Sequence, residues 1–172
     1  MTTWDTVRLM LSLTLIHKWH SCQIDYVSAF PQAPIEKPTY TRIPPGMNIK
    51  GDPKDYCLEL HKNLYGQKQA GRVWNDYLIR KLKSTGFEQS KCDPCVLYRH
   101  DCIYVLYTDD TLLFGINKSV TDKVIDDLKR TGLNLTVEGT IEDFLGVHVE
   151  EKMVVISLLN HFSLIKFSLS SG

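Results

Sequence analysis

Three carboxylates stand where apolar side chains are expected. In "IYVLYTDDTLLF", residues 103–114, Asp109 and Asp110 interrupt a run that otherwise reads as strand, and in "CQIDYVSAF" Asp25 sits between Ile24 and a stretch containing Val27, Ala29 and Phe30. An unpartnered carboxylate in an apolar strand is costly. Acids gathered by adjacent strands repel one another unless a positive group lies among them, and a divalent cation is the plainest such group. An oxygen-only donor set without His or Cys points to Mg²⁺ or Mn²⁺ rather than Zn²⁺. Two such ions, about 4 Å apart, would clamp the attacking and leaving oxygens of a phosphoryl transfer. The structural alternative for Asp109-Asp110 is a tight hairpin turn, where carboxylates are common. Against it, "YTDDTL" has no Gly or Asn for the positive-φ positions of a two-residue turn.

The elements that must position these acids follow from pattern. "TTWDTVRLMLSLTLIHKW" predicts a well-buried helix started by Thr2 or Thr3 and packed under a sheet. "CQIDYVSAF" predicts a strand. Pro31, Pro34, Pro38, Pro44, Pro45 and Pro53 exclude a long helix after it and imply an extended, turn-rich excursion. "VWNDYLIRKLKSTG" sets Trp74, Tyr77, Leu78 and Leu82 on one helical face and stops at Gly86. "PCVLYR" and "CIYVLYT" form a hairpin about His100 and Asp101, and "TLLFG" resumes as strand. "SVTDKVIDDLKRTG" is a helix capped by Ser119 or Thr121 and ended by Gly132. "LNLTVEG", "FLGVHVE" and "MVVISL" are short strands. The order β, long loop, α, ββ, α, β describes an α+β fold, an antiparallel sheet with helices on one face.

The chain has 172 residues, 43% of them hydrophobic, enough for one sizeable core. Twenty basic and twenty acidic residues cancel, so net charge advertises neither nucleic acid nor membrane. The distribution is uneven: from His61 to Lys91 seven Lys and Arg face two acids, and from Ser119 to Glu151 eight acids face three basic residues. The helix carrying Arg72, Arg80 and Lys81 is either a solvated face or a grip for an anionic ligand. Five cysteines, no secretory leader and no bilayer-length apolar run imply a soluble protein of a reducing compartment, neither secreted nor membrane-bound. "CDPCVLYRHDC" supplies Cys92, Cys95 and His100 at zinc-knuckle spacing. The fourth position is Val105, and Cys102 could serve only by distorting a strand, so small core cysteines are the alternative.

"DYVSAF" followed by "YTDD" between apolar strands resembles the first and third catalytic motifs of reverse transcriptases, and "LYGQKQAGRVW", "RIPPG", "GFEQSKCDPCVLYR" and "EDFLGV" resemble the polyproteins of copia-type LTR retrotransposons. The resemblance runs from about Trp4 to Val149. It implies a fingers and palm core over 1–150, with 151–172 either the start of a connection toward a thumb or a truncated tail. It implies RNA-directed DNA polymerase activity, with Asp25, Asp109 and Asp110 holding two Mg²⁺ or Mn²⁺ ions that activate the primer 3′-hydroxyl and neutralise pyrophosphate. Phe30, beside Ala29, matches the aromatic position that excludes a ribose 2′-hydroxyl, an ordinary core Phe being its alternative. Tyr65, Gly66 and Lys68 would lie near the nucleotide, with Gly66 allowing close backbone approach. Tyr107, Thr108, Arg72, Arg80 and Lys81 would meet nucleic acid. Partners implied are a primed RNA or DNA template, deoxynucleotide triphosphates and protease, integrase and ribonuclease H domains, in the cytoplasm or a virus-like particle. Gly71 stands where the family usually has Pro, and Thr108 where it has Val or similar. A catalytically inactive retroelement fragment that binds nucleic acid weakly is the alternative function.

Overall fold

The computed structural model describes residues 4–107, 110–138, 143–144, 147–152, 155–160 and 163–166; Trp4, Tyr107, Asp110 and everything from 143 onward are described by backbone alone. The chain divides into two compact units, one of Met1–Val27 with Lys81–Gly172, the other of Ser28–Arg80.

The first unit opens with helix α1 (Trp4–His17) and strand β1 (His20–Tyr26). After the second unit it continues with β4 (Glu88–Gln89), β5 (Val96–Arg99), β6 (Cys102–Tyr107), β7 (Asp110–Gly115), α4 (Lys118–Arg130) and β8 (Leu135–Val137). These strands make one antiparallel sheet in the order β4-β5-β6-β7-β1-β8. β1 and β7, which carry Asp25 and Asp110, are therefore interior strands of the sheet. Further along, β9 (Asp143–Phe144), β10 (Val147–Lys152), β11 (Val155–Asn160) and β12 (Ser163–Lys166) pair in a separate antiparallel sheet.

Helices cover both faces of the large sheet, not one as the sequence pattern implies. Val7, Met10 and Leu11 of α1 form a core cluster with Val105, Leu112 and Phe114. On α4, Thr121 sits so close to Gly115 that a Cβ there would come within 2.8 Å of its methyl group, and its Oγ1 lies 2.9 Å from Nδ1 of His20. Phe114 and Gly115 are neighbours in β7, so they face opposite ways. α1 and α4 thus lie on opposite sides. Only one stripe of α1 is buried, with Leu9 and Ile16 more than half exposed, which narrows the expectation of a well-buried helix. Its capping residues Thr2 and Thr3 lie outside the described residues.

α4 brings Val124, Ile125 and Leu128 into the core and is capped by Asn117, whose Oδ1 accepts from the Val120 amide at 3.0 Å. The expected caps, Ser119 and Thr121, lie inside the helix. An Asn at N-cap leaves the Thr121 hydroxyl free to back-bond to the Lys118 carbonyl at 2.8 Å. Gly132 ends the helix at φ +89, as its sequence position suggests.

The second unit begins where β1 stops. The sequence reading carries that strand through Phe30; in the structure it ends at Tyr26, Ser28 takes the left-handed conformation (φ 52, ψ 58), and Ala29–Gln32 form the short helix α2. The proline-rich excursion becomes the hairpin of β2 (Pro34–Arg42) and β3 (Cys57–Lys62), with an irregularity between Pro34 and Thr39 where the prolines withhold ladder donors. α3 (Ala70–Ser84) buries Trp74, Leu78 and Leu82 along one stripe and passes from this unit into the first.

Candidate active site

The register of β1 on β7 runs from His20 opposite Gly115 to Asp25 opposite Asp110, the last rung. Directly opposite residues share a face, so Asp25 and Asp110 lie on the α1 side of the sheet, beyond Leu112 and Phe114. Tyr107 pairs with Asp110 across β6 and β7, which leaves two residues, 108 and 109, for the connection. Thr108 and Asp109 lie outside the described residues.

The kind of rung matters. Gln23 accepts from the Glu138 amide at 3.0 Å and Val27 donates to the Asn134 carbonyl at 3.1 Å, so odd-numbered residues of β1 turn their backbone groups toward β8. Asp25 belongs to that set. Its rung with Asp110 is therefore non-hydrogen-bonded, the kind in which Cα atoms approach to about 4.5 Å and side chains come closest. Two like charges placed so are destabilising. A hard divalent cation fits this donor set, two carboxylates with no nitrogen or sulfur among them.

Around Phe30 the second unit makes a compact cluster. Leu64 to Gln67 form a turn closed by the Gln67 amide on the Leu64 carbonyl at 3.3 Å, with Gly66 at φ +88 in its third position. These are the marks of a type II turn. Gly66 supplies that positive-φ conformation, and a Cβ there would meet no protein atom within 4 Å. The turn throws Tyr65 outward, 58% exposed, with its ring 4.4 Å from that of Phe30. Ala29 is fully buried. Asn63, also fully buried, donates to the Ala33 and Pro34 carbonyls at 3.0 and 3.2 Å and so ties the end of α2 to the start of the turn. Nothing in the sequence pattern marks that amide as a tether.

The basic residues divide. Arg72 reaches Glu36 at 2.7 Å and Asp76 at 3.2 Å, and the hydrogen bond it donates to Glu36 raises its pKa. Lys81 donates to the Thr131 carbonyl at 2.6 Å, closing α3 on the end of α4. Lys68 and Arg80 stand exposed. Glu36 and the Thr131 carbonyl, which engage Arg72 and Lys81, lie outside the His61–Lys91 stretch.

The cysteine cluster does not assemble. Cys102 is buried and its thiol is pushed up to about 12, chiefly by desolvation, which opposes the thiolate a zinc ligand needs. His100 is 85% exposed, beside an Asp101 that Arg99 engages at 2.7 Å. Among the described residues no three of His, Cys, Asp and Glu gather to hold a metal. The zinc alternative is thereby set aside, and of the small core cysteines expected instead only Cys102 is buried, Cys95 being half-buried and Cys92 exposed.

An antiparallel sheet whose interior strands bring two acids to their last shared rung is an arrangement suited to holding a cation. The chain belongs to the reverse transcriptase (RNA-dependent DNA polymerase) family, whose model matches residues 1–167. It is similar to the Ty1-BL Gag-Pol polyprotein of Saccharomyces cerevisiae, 37% identical over 120 residues that make up 69% of this chain and 7% of that polyprotein. It is similar also to the retrovirus-related Pol polyproteins of transposon TNT 1-94 from Nicotiana tabacum (30% over 149 residues, 84% of this chain, 11% of that protein) and transposon RE1 from Arabidopsis thaliana (29% over 173 residues, 93% and 12%). The chain thus spans about a tenth of the length of these curated relatives. No solved structure matches it. Among the described residues no helix is long and apolar enough to cross a membrane.

Proposed function

We propose that this chain is the fingers and palm core, residues 1–150, of an RNA-directed DNA polymerase of a copia-type retrotransposon, extending a primer on an RNA or DNA template. The observation that carries the proposal is the terminal, non-hydrogen-bonded rung of Asp25 and Asp110, next to the two-residue connection that contains Asp109. These three residues would hold the divalent cations, Mg²⁺ or Mn²⁺. When bound, the cations supply activation of the primer 3′-hydroxyl and neutralise the charge of the leaving pyrophosphate. Asp25 and Asp110 would contribute negative charge at the last rung between two interior strands, which is what a cation-dependent transfer needs from its protein.

Phe30, packed on Tyr65, presents a flat apolar wall suited to excluding a 2′-hydroxyl, and the Gly66 turn holds that wall in place. Lys68 and Arg80, exposed on the second unit, are free to meet phosphates. Arg72 and Lys81 act first on their own protein partners, so their contribution to nucleic-acid binding is the smaller one. Tyr107 and Thr108, which precede the paired acids in sequence, would meet the template-primer. In this reading the chain works beside protease, integrase and ribonuclease H domains of one polyprotein, in the cytoplasm or a virus-like particle.

Primer extension on a homopolymeric RNA template decides the matter. Incorporation is expected to require Mg²⁺ or Mn²⁺ and to fall by more than about a hundredfold in Asp25→Asn and in Asp109→Asn, because loss of even a partner behind a metal ligand costs about 10- to 100-fold. Incorporation that survives both changes would sink the assignment.

A further inference from the structure

Behind the acid rung, on the α4 face of the sheet, lies a buried chain of hydroxyls that the polymerase reading does not use. Tyr26 Oη is 2.7 Å from Tyr104 Oη, Tyr104 Oη is 3.1 Å from Thr111 Oγ1, and Thr111 Oγ1 is 3.0 Å from the Ile24 carbonyl. Tyr26 is 2% exposed; Tyr104 and Thr111 are fully buried. Each hydroxyl has one proton. A carbonyl can only accept, so the Thr111 proton is committed to Ile24. Thr111 must then accept from Tyr104, and Tyr104, its proton committed in turn, must accept from Tyr26. The polarity is fixed along the whole chain, Tyr26 to Tyr104 to Thr111 to Ile24.

Every member of this relay but Tyr104 adjoins an acid in sequence. Ile24 and Tyr26 flank Asp25, and Thr111 follows Asp110. Ile24 opposite Thr111 is the rung immediately before Asp25 opposite Asp110, where the ladder ends. A terminal rung has no further rung to hold it shut, and two like charges push this one open. The Thr111 hydroxyl on the Ile24 carbonyl is a side-chain clasp across the strands, one residue from the point of repulsion. Tyr104, held edge-on by Phe87 at 5.9 Å, keeps that hydroxyl turned toward Ile24.

We propose that Thr111, oriented by the Tyr26–Tyr104 hydroxyls, is a positioning residue that keeps Asp25 and Asp110 at the separation in which they share a divalent cation. The inference rests on the reading of those acids as cation ligands. Valine at 111 keeps the shape but removes the clasp and leaves the Tyr104 proton without an acceptor; serine keeps the hydroxyl.

The test is Mn²⁺ binding to the full chain, followed by the electron paramagnetic resonance of the free ion, in wild type, Asp25→Asn, Thr111→Val, Thr111→Ser and Tyr104→Phe, with circular dichroism to report folding. Thr111→Val is expected to weaken Mn²⁺ binding about tenfold, the scale for a partner behind a metal ligand, with Thr111→Ser retaining most of the wild-type affinity and Tyr104→Phe falling between. Asp25→Asn should abolish binding. If wild type binds no Mn²⁺, or Asp25→Asn binds as wild type does, the ligand reading fails and the inference with it. If Asp25→Asn loses binding while Thr111→Val and Thr111→Ser bind alike, the inference alone is overturned. Should Thr111→Val not fold, Tyr104→Phe decides: an affinity equal to wild type refutes the relay.

Discussion

Asp25 and Asp110 face each other across the final rung of the β1–β7 ladder, with their backbone hydrogen-bonding groups turned away from one another. That one relationship brings together two residues far apart in sequence and gives them the closest spacing an antiparallel sheet allows.

Their mutual repulsion has a measurable consequence. In metal-free protein, Asp25→Asn or Asp110→Asn should raise stability by about 0.2–1 kcal/mol, the scale of an adverse cross-strand pair. Divalent cation should reverse the ranking, since a ligand that binds only the folded state stabilises it by mass action. Thermal unfolding in EDTA and in excess Mg²⁺ checks both halves; a variant that still responds to Mg²⁺ as wild type does would contradict the assignment.

Replacing Phe30 by Ala removes the ring that packs on Tyr65 at 4.4 Å. Aromatic pairs contribute about 0.5–1.5 kcal/mol beyond their buried area, so modest destabilisation is expected. The larger effect should be on sugar selectivity, with ribonucleotide use rising relative to deoxynucleotide use by about tenfold or more. Paired incorporation assays with the two nucleotide classes read it directly.

Gly66 separates strain from crowding. With open space around its Cα but φ at +88, Gly66→Ala should cost about 1–2 kcal/mol, entirely from the left-handed backbone. Gly66→Asn should cost less, since Asn tolerates that region better. Urea unfolding of the two variants distinguishes this from a clash, which would make the larger Asn the worse.

Burial pushes the Tyr104 phenol up from its ordinary value of 10.0 to about 12. Above pH 10 the unfolded chain releases this proton while the folded protein retains it, so stability falls as pH rises. The contribution of Tyr104 is fully present below about pH 10 and lost progressively toward about pH 12. Tyr26, its partner, is raised in the same direction by burial. Urea midpoints across this range should decline less steeply for Tyr104→Phe than for wild type.

Much of the candidate site is readable from residue order. Asp25 and the "YTDD" acids announce themselves by sitting in apolar runs. Helix α3 is legible from the spacing of Trp74, Leu78 and Leu82, and the β5–β6 hairpin from its alternation. These are local signals, carried by neighbours within a few residues.

Four features are decided only in three dimensions. β1 ends at Tyr26 because Ser28 turns left-handed, although "VSAF" has the composition of continuing strand. α1 covers the face opposite α4, which no periodicity specifies, since an amphipathic helix is equally at home on either side of a sheet. Arg72 and Lys81 read as free charge until Glu36 and the Thr131 carbonyl arrive from other elements, Asp76 joining Arg72 from the next turn of the same helix. The hydroxyl chain from Tyr26 to Ile24 joins residues drawn from three strands. Sequence by itself determined which residue types could hold a cation and which segments could carry them, because propensity and alternation act over a few residues. Tertiary structure decided the rung on which Asp25 meets Asp110, because strand register is a property of the paired sheet and of no single strand within it.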